Sequence, residues 1–256
     1  MPVQDDARER ELVRMFNLVW ERSHQRSGVD AYLDVAVDGR RLRIEVEVKS
    51  TTGASVSTAR DVGMDHIQRW RKKFFVIGFY TKEAQPELRQ CLCLSPADME
   101  PWIASIESRI AVDFKLANIA ASRLSMGDLF TILGQKQHYT LQDAKSLHKR
   151  QWSAAQYSQA LDVQLGRRKL ISQAKMLEIL QLRSAYIAER GATLNNPHIE
   201  KSFLRPFFGT DREVSASNWA AAARSIAEAF VRANPGHSAT TDLGASPANP
   251  VSESLS

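Results

Sequence analysis

The chain has 256 residues, of which 43% are hydrophobic and 25% charged, a composition typical of a globular protein with one large or two small domains. No apolar run approaches the roughly 18–20 residues that a membrane span requires, which argues against a membrane protein. The N-terminus is charged and lacks the apolar core of a secretion signal. The two cysteines, Cys91 and Cys93, lie two residues apart on an expected strand, a poor geometry for a mutual disulfide. We therefore expect a reducing, cytoplasmic location and no membrane partner.

The charge balance favours a polyanionic partner. The formal net charge is +5 and the isoelectric point is about 9.3. Residues 233–256 contain only two charged side chains, both acidic, so the rest of the chain has 34 basic against 27 acidic residues, a net charge of about +7. Such an excess suits nucleic acid, although many basic proteins bind none.

The first expected element is an amphipathic helix over residues 5–25. Its apolar side chains recur at helical spacing, with Arg and Glu between them: Leu12, Met15, Phe16, Val19 and Trp20. We expect this helix to pack on a sheet.

The next segment predicts a β-hairpin. Residues 31–37 are rich in strand-forming residues, Asp38-Gly39 is a strong two-residue turn signal, and residues 40–49 alternate apolar and charged side chains. Since strand side chains alternate between faces, Glu47 and Lys49 share the charged face at the end of the second strand. Asp30 precedes the first strand and could join them.

Two carboxylates and an ammonium in this pattern suit metal-assisted hydrolysis of a phosphodiester. Mg²⁺ prefers hard oxygen ligands, and Asp30 and Glu47 are the candidate metal ligands. Lys49 could hold or deprotonate the attacking water and stabilise the transition state. The alternative is an exposed strand face whose charges pair across the hairpin.

This Asp…Glu-x-Lys pattern, with its Gly-Val-Asp-Ala-Tyr-Leu context and intervening hairpin, resembles the signature of the PD-(D/E)XK nuclease superfamily. Val29 stands where the eponymous proline would be. The resemblance implies that Asp30, Glu47 and Lys49 are the catalytic residues. In that superfamily a preceding helix sometimes adds an acidic residue, for which Glu11 and Glu21 are candidates. Glu45 and Asp34 share faces with the trio and are further candidate ligands.

The elements after the hairpin complete an expected α/β core over residues 1–112. A Gly/Ser/Thr-rich loop follows Lys49, then a helix from Ser57 or Thr58 to about residue 72. The basic end of this helix supplies three candidate phosphate contacts, Arg69, Arg71 and Lys72. Residues 74–80 form an apolar run typical of a central strand, residues 90–94 a shorter strand, and residues 95–110 a helix. This order matches the mixed-sheet αβββαβ framework of the superfamily.

From residue 113 to 232 strand signals nearly vanish, which predicts an all-helical domain for binding or reading DNA. Capping patterns at Thr140 and Ser153 start two short helices that resemble a helix-turn-helix, although the usual turn glycine is absent. Gln156, Tyr157 and Gln159, near the start of the second helix, would be base-reading candidates, and an ordinary helical hairpin is the alternative.

Residues 166–190 predict a long helix. Its first turn contains three basic residues, which interact unfavourably with the helix dipole at that end. These residues are therefore candidate phosphate contacts: Arg167, Arg168 and Lys169. The following polar loop contains Asn195, Asn196 and His198, which could bind bases or form turns. A last helix covers residues 217–232, and residues 233–256 are expected to be disordered.

Together these features predict a Mg²⁺-dependent, site-specific deoxyribonuclease of the type II restriction kind, acting on double-stranded DNA as a homodimer. The dimer is expected from the resemblance and from the match between two-fold proteins and palindromic sites. Two alternatives remain open: a repair or recombination nuclease of the same superfamily, and a non-catalytic DNA-binding regulator that retains the scaffold.

Overall fold

A computed structural model describes residues 4–20, 29–214 and 217–245, without the side chains of residues 4–6 and 245. The chain divides into two compact units. Unit 1 contains residues up to Glu107 and from Asn195 onward, and unit 2 contains Ser108–Leu194.

The helices and strands follow one another in this order: α1 (Gln4–Met15), β1 (Ala31–Val37), β2 (Arg40–Thr51), β3 (Ser55–Val56), α2 (Met64–Trp70), β4 (Lys73–Tyr80), β5 (Leu88–Leu94), α3 (Pro96–Ser122), α4 (Met126–Leu133), β6 (His138–Tyr139), α5 (Leu141–Leu147), α6 (Ala154–Gln159), β7 (Val163–Leu165), β8 (Arg168–Ser172), α7 (Gln173–Ala192), β9 (Ile199–Glu200), α8 (Lys201–Leu204), a 3₁₀ turn (Arg205–Phe207), β10 (Glu213–Val214), α9 (Trp219–Ala233) and β11 (Thr240–Ala245). Within the described ranges, none of the helices combines the length and the apolarity that crossing a bilayer requires.

Unit 1 is built on one mixed sheet with the strand order β1-β2-β4-β5-β10. β2 and β4 are parallel, whereas the other neighbours along this path are antiparallel. One edge of β2 is shared by two strands. β11 pairs antiparallel with the first half of β2, and β4 pairs with the second half of β2 along the same edge. The mixed α/β class expected from the sequence is confirmed.

The predicted hairpin is present with the expected register. Val37 pairs with Arg40, and Asp38 and Gly39 form the turn with φ values of +50° and +75°. Positive φ at both central residues is the geometry that Asp-Gly accommodates and most other pairs resist. The apolar and charged side chains of β2 therefore lie on opposite faces as predicted, and the apolar side chains are buried.

Strand β4 is buried on both faces of the sheet, as its apolar run predicts. One face packs with α1 and α9, through residues such as Leu12, Phe16 and Phe230. Gly78 in β4 lies against α1: a Cβ placed there would be 2.9 Å from both methyl carbons of the fully buried Leu12. The opposite face carries Phe75 and Ile77, which alternate with the residues of the first face.

Three helix boundaries in the first half differ from prediction. The helix expected to start at residue 57 or 58 begins at Met64, with Gly63 as N-cap, because Asp61 has a left-handed φ of +52° and interrupts it. The helix after Ser95 continues to Ser122 instead of residue 110. α1 ends at Met15, and the expected continuation beyond residue 20 lies outside the described residues.

The expected organisation of the C-terminal half also differs. Residues 195–245 belong to unit 1, since β9 pairs with β3, β10 with β5 and β11 with β2. The helix predicted over residues 217–232 is present as α9, and it packs on the sheet of unit 1. The tail expected to be disordered from residue 233 forms β11, and residues 246–256 lie outside the described residues.

Unit 2 is not all-helical, because it contains a three-stranded antiparallel sheet with the order β6-β8-β7. The predicted helix over residues 166–190 starts only at Gln173, and Gly166 (φ +57°) begins the turn of a β7–β8 hairpin. One core joins α4, α5, α6, α7, β6 and β8, and its buried residues are Leu129, Tyr139, Ala144, Tyr157, Ala160, Ile171, Met176, Ile179 and Leu180.

We expect Gly78→Ala to lower the free energy of unfolding by about 1–3 kcal/mol, because the added methyl group displaces the buried Leu12 side chain. Gly191→Ala is the control: apart from the adjacent backbone of α7, no atom lies within 4 Å of its Cβ position, so a neutral effect or a gain of about 0.5–1 kcal/mol is expected. Urea unfolding followed by circular dichroism measures both, and equal stability of the two variants would contradict this packing.

Candidate functional site

The structure brings the three predicted catalytic side chains together at the open end of the β1–β2 hairpin, opposite its turn. The Lys49 ammonium lies 3.2 Å from Asp30 Oδ2 and 2.8 Å from Glu47 Oε1. Asp30 also accepts a hydrogen bond of 3.0 Å from the backbone N–H of Val48, which fixes the carboxylate against the strand. Hairpin register and strand alternation are sufficient to produce this arrangement.

A fourth charged residue, Lys73, completes the cluster from the neighbouring strand. β4 runs parallel to β2, and Lys73 pairs with Glu45, which places its ammonium 2.7 Å from Glu47 Oε2. Glu47 and Lys73 are only 8% and 5% exposed, so the carboxylate is held between two ammonium groups in a buried environment. The local sequence pattern places Lys73 at the basic end of a helix. The contact of Lys73 with Glu47 depends on the parallel pairing of β2 with β4, which cannot be inferred from neighbouring residues.

The pKa of Glu47 follows from this environment. Burial by itself raises the pKa, but Lys49 and Lys73 outweigh it and lower the pKa from 4.5 to about 2. Because the folded-state pKa is depressed, the ion pairs stabilise the fold above the ordinary pKa, and this contribution disappears as the pH falls toward 2.

Lys49 is an ammonium in this site. Burial alone lowers its pKa, but the charges of Glu47, Asp30 and Glu9 raise the pKa above the ordinary value for lysine. A protonated Lys49 donates hydrogen bonds and stabilises negative charge, whereas the alternative role of general base requires a deprotonated amine. The site therefore favours charge stabilisation over proton abstraction for Lys49.

The cluster opens into a pocket of about 390 Å³ that α2 and the preceding loop complete. Its other lining residues are Thr58, Ala59, Arg60, His66, Arg69 and Trp70. His66 is half-buried, and burial together with Arg69 lowers its pKa, which favours the neutral imidazole. The pocket thus combines carboxylates at its base with basic side chains at its wall, a combination suited to an anionic substrate.

The loop after β2 is held by the segment that precedes β9. Asn196 Oδ1 accepts a hydrogen bond from the N–H of Thr58 (3.0 Å), and His198 Nδ1 lies 2.9 Å from Ser55 Oγ. Asn196 adopts a left-handed φ of +51°, for which asparagine is well suited. Both residues, predicted as base contacts, have a structural role here in fixing one wall of the pocket.

Three oxygen atoms converge on the Lys49 ammonium: Asp30 Oδ2, Glu47 Oε1 and, at 3.2 Å, the backbone carbonyl of Val48. Two carboxylates and a carbonyl around one cation are the hard ligands that Mg²⁺ prefers. No group of three or more His, Cys, Asp or Glu side chains suited to a metal ion occurs in the described part of the chain. A metal at this point would therefore rely on the two carboxylates, the Val48 carbonyl and water.

The other candidate carboxylates lie outside the pocket lining. Asp34 is paired with Arg43 at 2.8 Å, and this hydrogen bond lowers its pKa. Glu11 accepts a hydrogen bond from the Tyr80 hydroxyl, and Glu45 does not line the pocket. Glu21 falls outside the described residues. The acid of α1 whose charge reaches Lys49 is Glu9, which no sequence signal identified.

The predicted phosphate contacts at the end of α2 separate into different environments. Arg69 lines the pocket. Arg71 is held by Glu100 at 2.8 Å and Glu107 at 2.7 Å, so its charge is already compensated and it is a poor phosphate contact. Lys72 is exposed.

The predicted contacts in residues 153–195 also differ in accessibility. Tyr157 is 5% exposed and belongs to the core of unit 2, so its prediction as a base-reading residue is wrong: the helix turns this position inward. Gln156 is exposed, but its side-chain oxygen caps α6 through the N–H of Ser153. The basic cluster lies on the β7–β8 hairpin and is exposed: Arg167, Arg168 and Lys169. Asn195 is exposed beside the segment that holds the loop after β2.

Comparison of the chain with protein-family models, with curated proteins and with solved structures returned no match.

We expect Lys73→Met to lower the free energy of unfolding by about 3–5 kcal/mol, because it removes one of two partners from a buried carboxylate. Lys72→Met, one residue earlier and exposed, is the matched control and is expected to change stability by less than about 0.5 kcal/mol. Chemical denaturation at neutral pH compares them. Equal stabilities would show that Glu47 does not depend on Lys73.

Proposed function

We propose that the chain is a Mg²⁺-dependent endonuclease that hydrolyses phosphodiester bonds in double-stranded DNA, of the type II restriction kind. The observation that carries this proposal is the convergence of Asp30 Oδ2, Glu47 Oε1 and the Val48 carbonyl on one cationic group. It agrees with the resemblance of the Asp…Glu-x-Lys pattern to the PD-(D/E)XK superfamily.

Asp30, Glu47 and the Val48 carbonyl would hold the metal ion. When bound there, Mg²⁺ supplies a Lewis acid that makes a coordinated water more acidic and offsets charge on the phosphate. The chain's own part is to keep these oxygens in place: the backbone N–H of Val48 orients Asp30, and Lys73 orients Glu47. Ligands fixed on adjacent strands need little rearrangement during the reaction.

Lys49 then acts on the substrate. Its ammonium donates hydrogen bonds to the scissile phosphate while a water molecule adds to phosphorus and one P–O ester bond breaks. The departing oxygen takes up the proton that the water releases. Charge that develops on the phosphate oxygens is thereby stabilised in a buried, weakly screened site. Arg69, at the pocket wall, would bind the adjacent phosphate.

Cleavage of both strands at a symmetric site requires two such pockets, so we propose that the active form is a homodimer. A repair or recombination nuclease with the same site would cut structured or damaged DNA rather than a fixed sequence. A regulator that retains the scaffold would bind DNA without cutting it. The products of a cleavage assay separate these three functions.

We expect the purified protein to convert unmethylated plasmid and bacteriophage DNA into discrete fragments with Mg²⁺ and to leave them intact with EDTA. Lys49→Ala removes the charge-stabilising ammonium and is expected to slow cleavage by about 100-fold or more. Asp30→Asn removes a metal-ligand charge and is expected to do the same. End sequencing of the fragments identifies the site.

Glu45→Gln is the matched control, since Glu45 lies on the same strand face but outside the pocket, and it is expected to retain wild-type cleavage. Cleavage that survives both Lys49→Ala and Asp30→Asn would overturn the assigned site. Binding of DNA without Mg²⁺-dependent cleavage would favour the regulator.

A further inference from the structure

We propose that unit 2 is a double-stranded DNA-binding module of the winged helix-turn-helix type. In this module the exposed face of α6 reads bases, and the β7–β8 hairpin binds the phosphate backbone. The inference deepens the proposed nuclease function and rests on it for its biological purpose, while the binding itself can be measured without cleavage.

The positive charge of the chain is concentrated in this unit. Ser108–Leu194 contains 13 Lys and Arg against 6 Asp and Glu, a formal net charge of +7. The remaining residues contain 21 basic and 23 acidic side chains, a net charge of −2. An excess of this size in 87 residues would attract a polyanion, whereas the rest of the chain would not.

The order of elements in unit 2 is that of a helix-turn-helix followed by a hairpin. α5 and α6 both begin with a capping box, at Thr140 and Ser153, and are joined by a six-residue connection. β7 follows α6 after three residues, and β8 returns between β7 and β6. The shared core of α4, α5, α6, α7 and the two strands β6 and β8 fixes α6 on the unit through its buried side.

The α5–α6 connection places two basic residues in a strained conformation. Lys149 and Arg150 have φ values of +50° and +58°. This left-handed backbone conformation costs a residue other than glycine about 1–3 kcal/mol. The turn therefore forms without the glycine that such a connection usually contains. Both side chains are exposed, and neither forms an ion pair within the described ranges.

The outward face of α6 carries small and polar side chains. Tyr157 and Ala160 are buried in the core, whereas Ala155, Ser158 and Gln159 are exposed. Ser158 and Gln159 make no side-chain hydrogen bond to any residue that the structure describes. Gln suits the two hydrogen-bonding groups of adenine in the major groove, Ser can bond several base edges, and Ala can contact a thymine methyl group.

The β7–β8 hairpin presents three consecutive basic residues next to this helix in the chain. Arg167, Arg168 and Lys169 are exposed, and no carboxylate pairs with them in the described part of unit 2. The hairpin conformation also explains why three adjacent basic residues are tolerated here. The basic residues lie on the hairpin, and the helix α7 starts four residues after Lys169. They therefore do not interact unfavourably with the dipole of α7. Unpaired guanidinium and ammonium groups on an exposed hairpin suit phosphate contacts.

The first experiment measures affinity in EDTA, where cleavage is absent. Binding of the full chain to a fluorescent duplex of about 30 base pairs is compared with that of a triple variant, Arg167→Ala, Arg168→Ala and Lys169→Ala. We expect about 10- to 100-fold weaker binding and a decrease of about 2.7 in the slope of log K against log salt concentration, the value for three lost phosphate contacts.

A control triple variant has the same composition in unit 1: Arg89→Ala, Arg205→Ala and Lys82→Ala, all three exposed. We expect it to retain wild-type affinity and slope. Equal losses of DNA affinity in both triple variants would mean that binding depends only on the net charge of the whole chain. This result would overturn the assignment of the phosphate contacts to the hairpin. Unchanged binding in the first variant would overturn it as well.

The second experiment tests base reading by selecting bound sequences from a pool of random DNA duplexes in EDTA. We expect the wild type to enrich one motif, and Gln159→Ala to lose discrimination at one base pair by about 5- to 150-fold while total affinity changes little. Gln137→Ala, which changes an exposed glutamine between α4 and β6 of the same unit, is the control and should preserve the motif. No enriched motif, or equal binding of duplex RNA, would overturn the proposed reading surface.

These assays separate the inference from the proposed function. Loss of binding specificity in unit 2 variants together with no Mg²⁺-dependent cleavage by the wild type would support the module and overturn the nuclease. Site-specific cleavage that both the hairpin triple variant and Gln159→Ala retain would support the nuclease and overturn the module.

Discussion

Burial of the Glu47 carboxylate between Lys49 and Lys73 is the interaction on which the candidate site depends. An isolated carboxylate at this depth would be strongly destabilising, and two ammonium groups offset that cost. One comes from the same strand two residues later, and the other comes from β4 through its parallel pairing with β2. The position of the carboxylate is thus determined by two adjacent strands, which makes it a rigid point in the sheet.

The rest of unit 1 supports that pair of strands. The apolar face of β2 and β4 packs against α1 and α9, while the charged face at the end of β2 opens into the pocket. β11 covers the free edge of the first half of β2, where unpaired backbone groups would otherwise be exposed. The segment around Asn196 fixes the loop that forms one pocket wall. Residues distant in sequence therefore contribute to the geometry of a site built from a short hairpin.

The division of charge suggests a division of labour between the two units. The unit that contains the candidate site has a formal net charge of −2, which does not attract DNA by long-range electrostatics. Unit 2, with a net charge of +7, would supply that attraction, and the proposed reading helix would select the sequence. Under this proposal, chemistry and recognition would be separate properties of separate parts of the chain, open to independent variation.

Several features follow from local sequence because the physical signals are local. Asp38-Gly39 specifies a tight turn, alternation in residues 40–49 specifies the two faces of β2, and together they bring Asp30, Glu47 and Lys49 to one place. The capping boxes at Thr140 and Ser153 likewise mark the starts of α5 and α6, since a side chain three residues away completes each cap.

Other features depend on tertiary structure, because they arise from pairings between residues far apart in the chain. Lys73 contacts Glu47 through a parallel strand pair, and β11 forms only because β2 offers an edge about 200 residues earlier in the chain. Residues 166–172 are predicted as the start of the helix α7, yet pairing with β7 and with β6 makes residues 168–172 a strand. Tyr157 is polar enough to read a base, but the packing of α6 buries it. The sequence by itself determined the hairpin and its charged trio, and the long-range contacts decided which further charges surround that trio and which surfaces remain exposed.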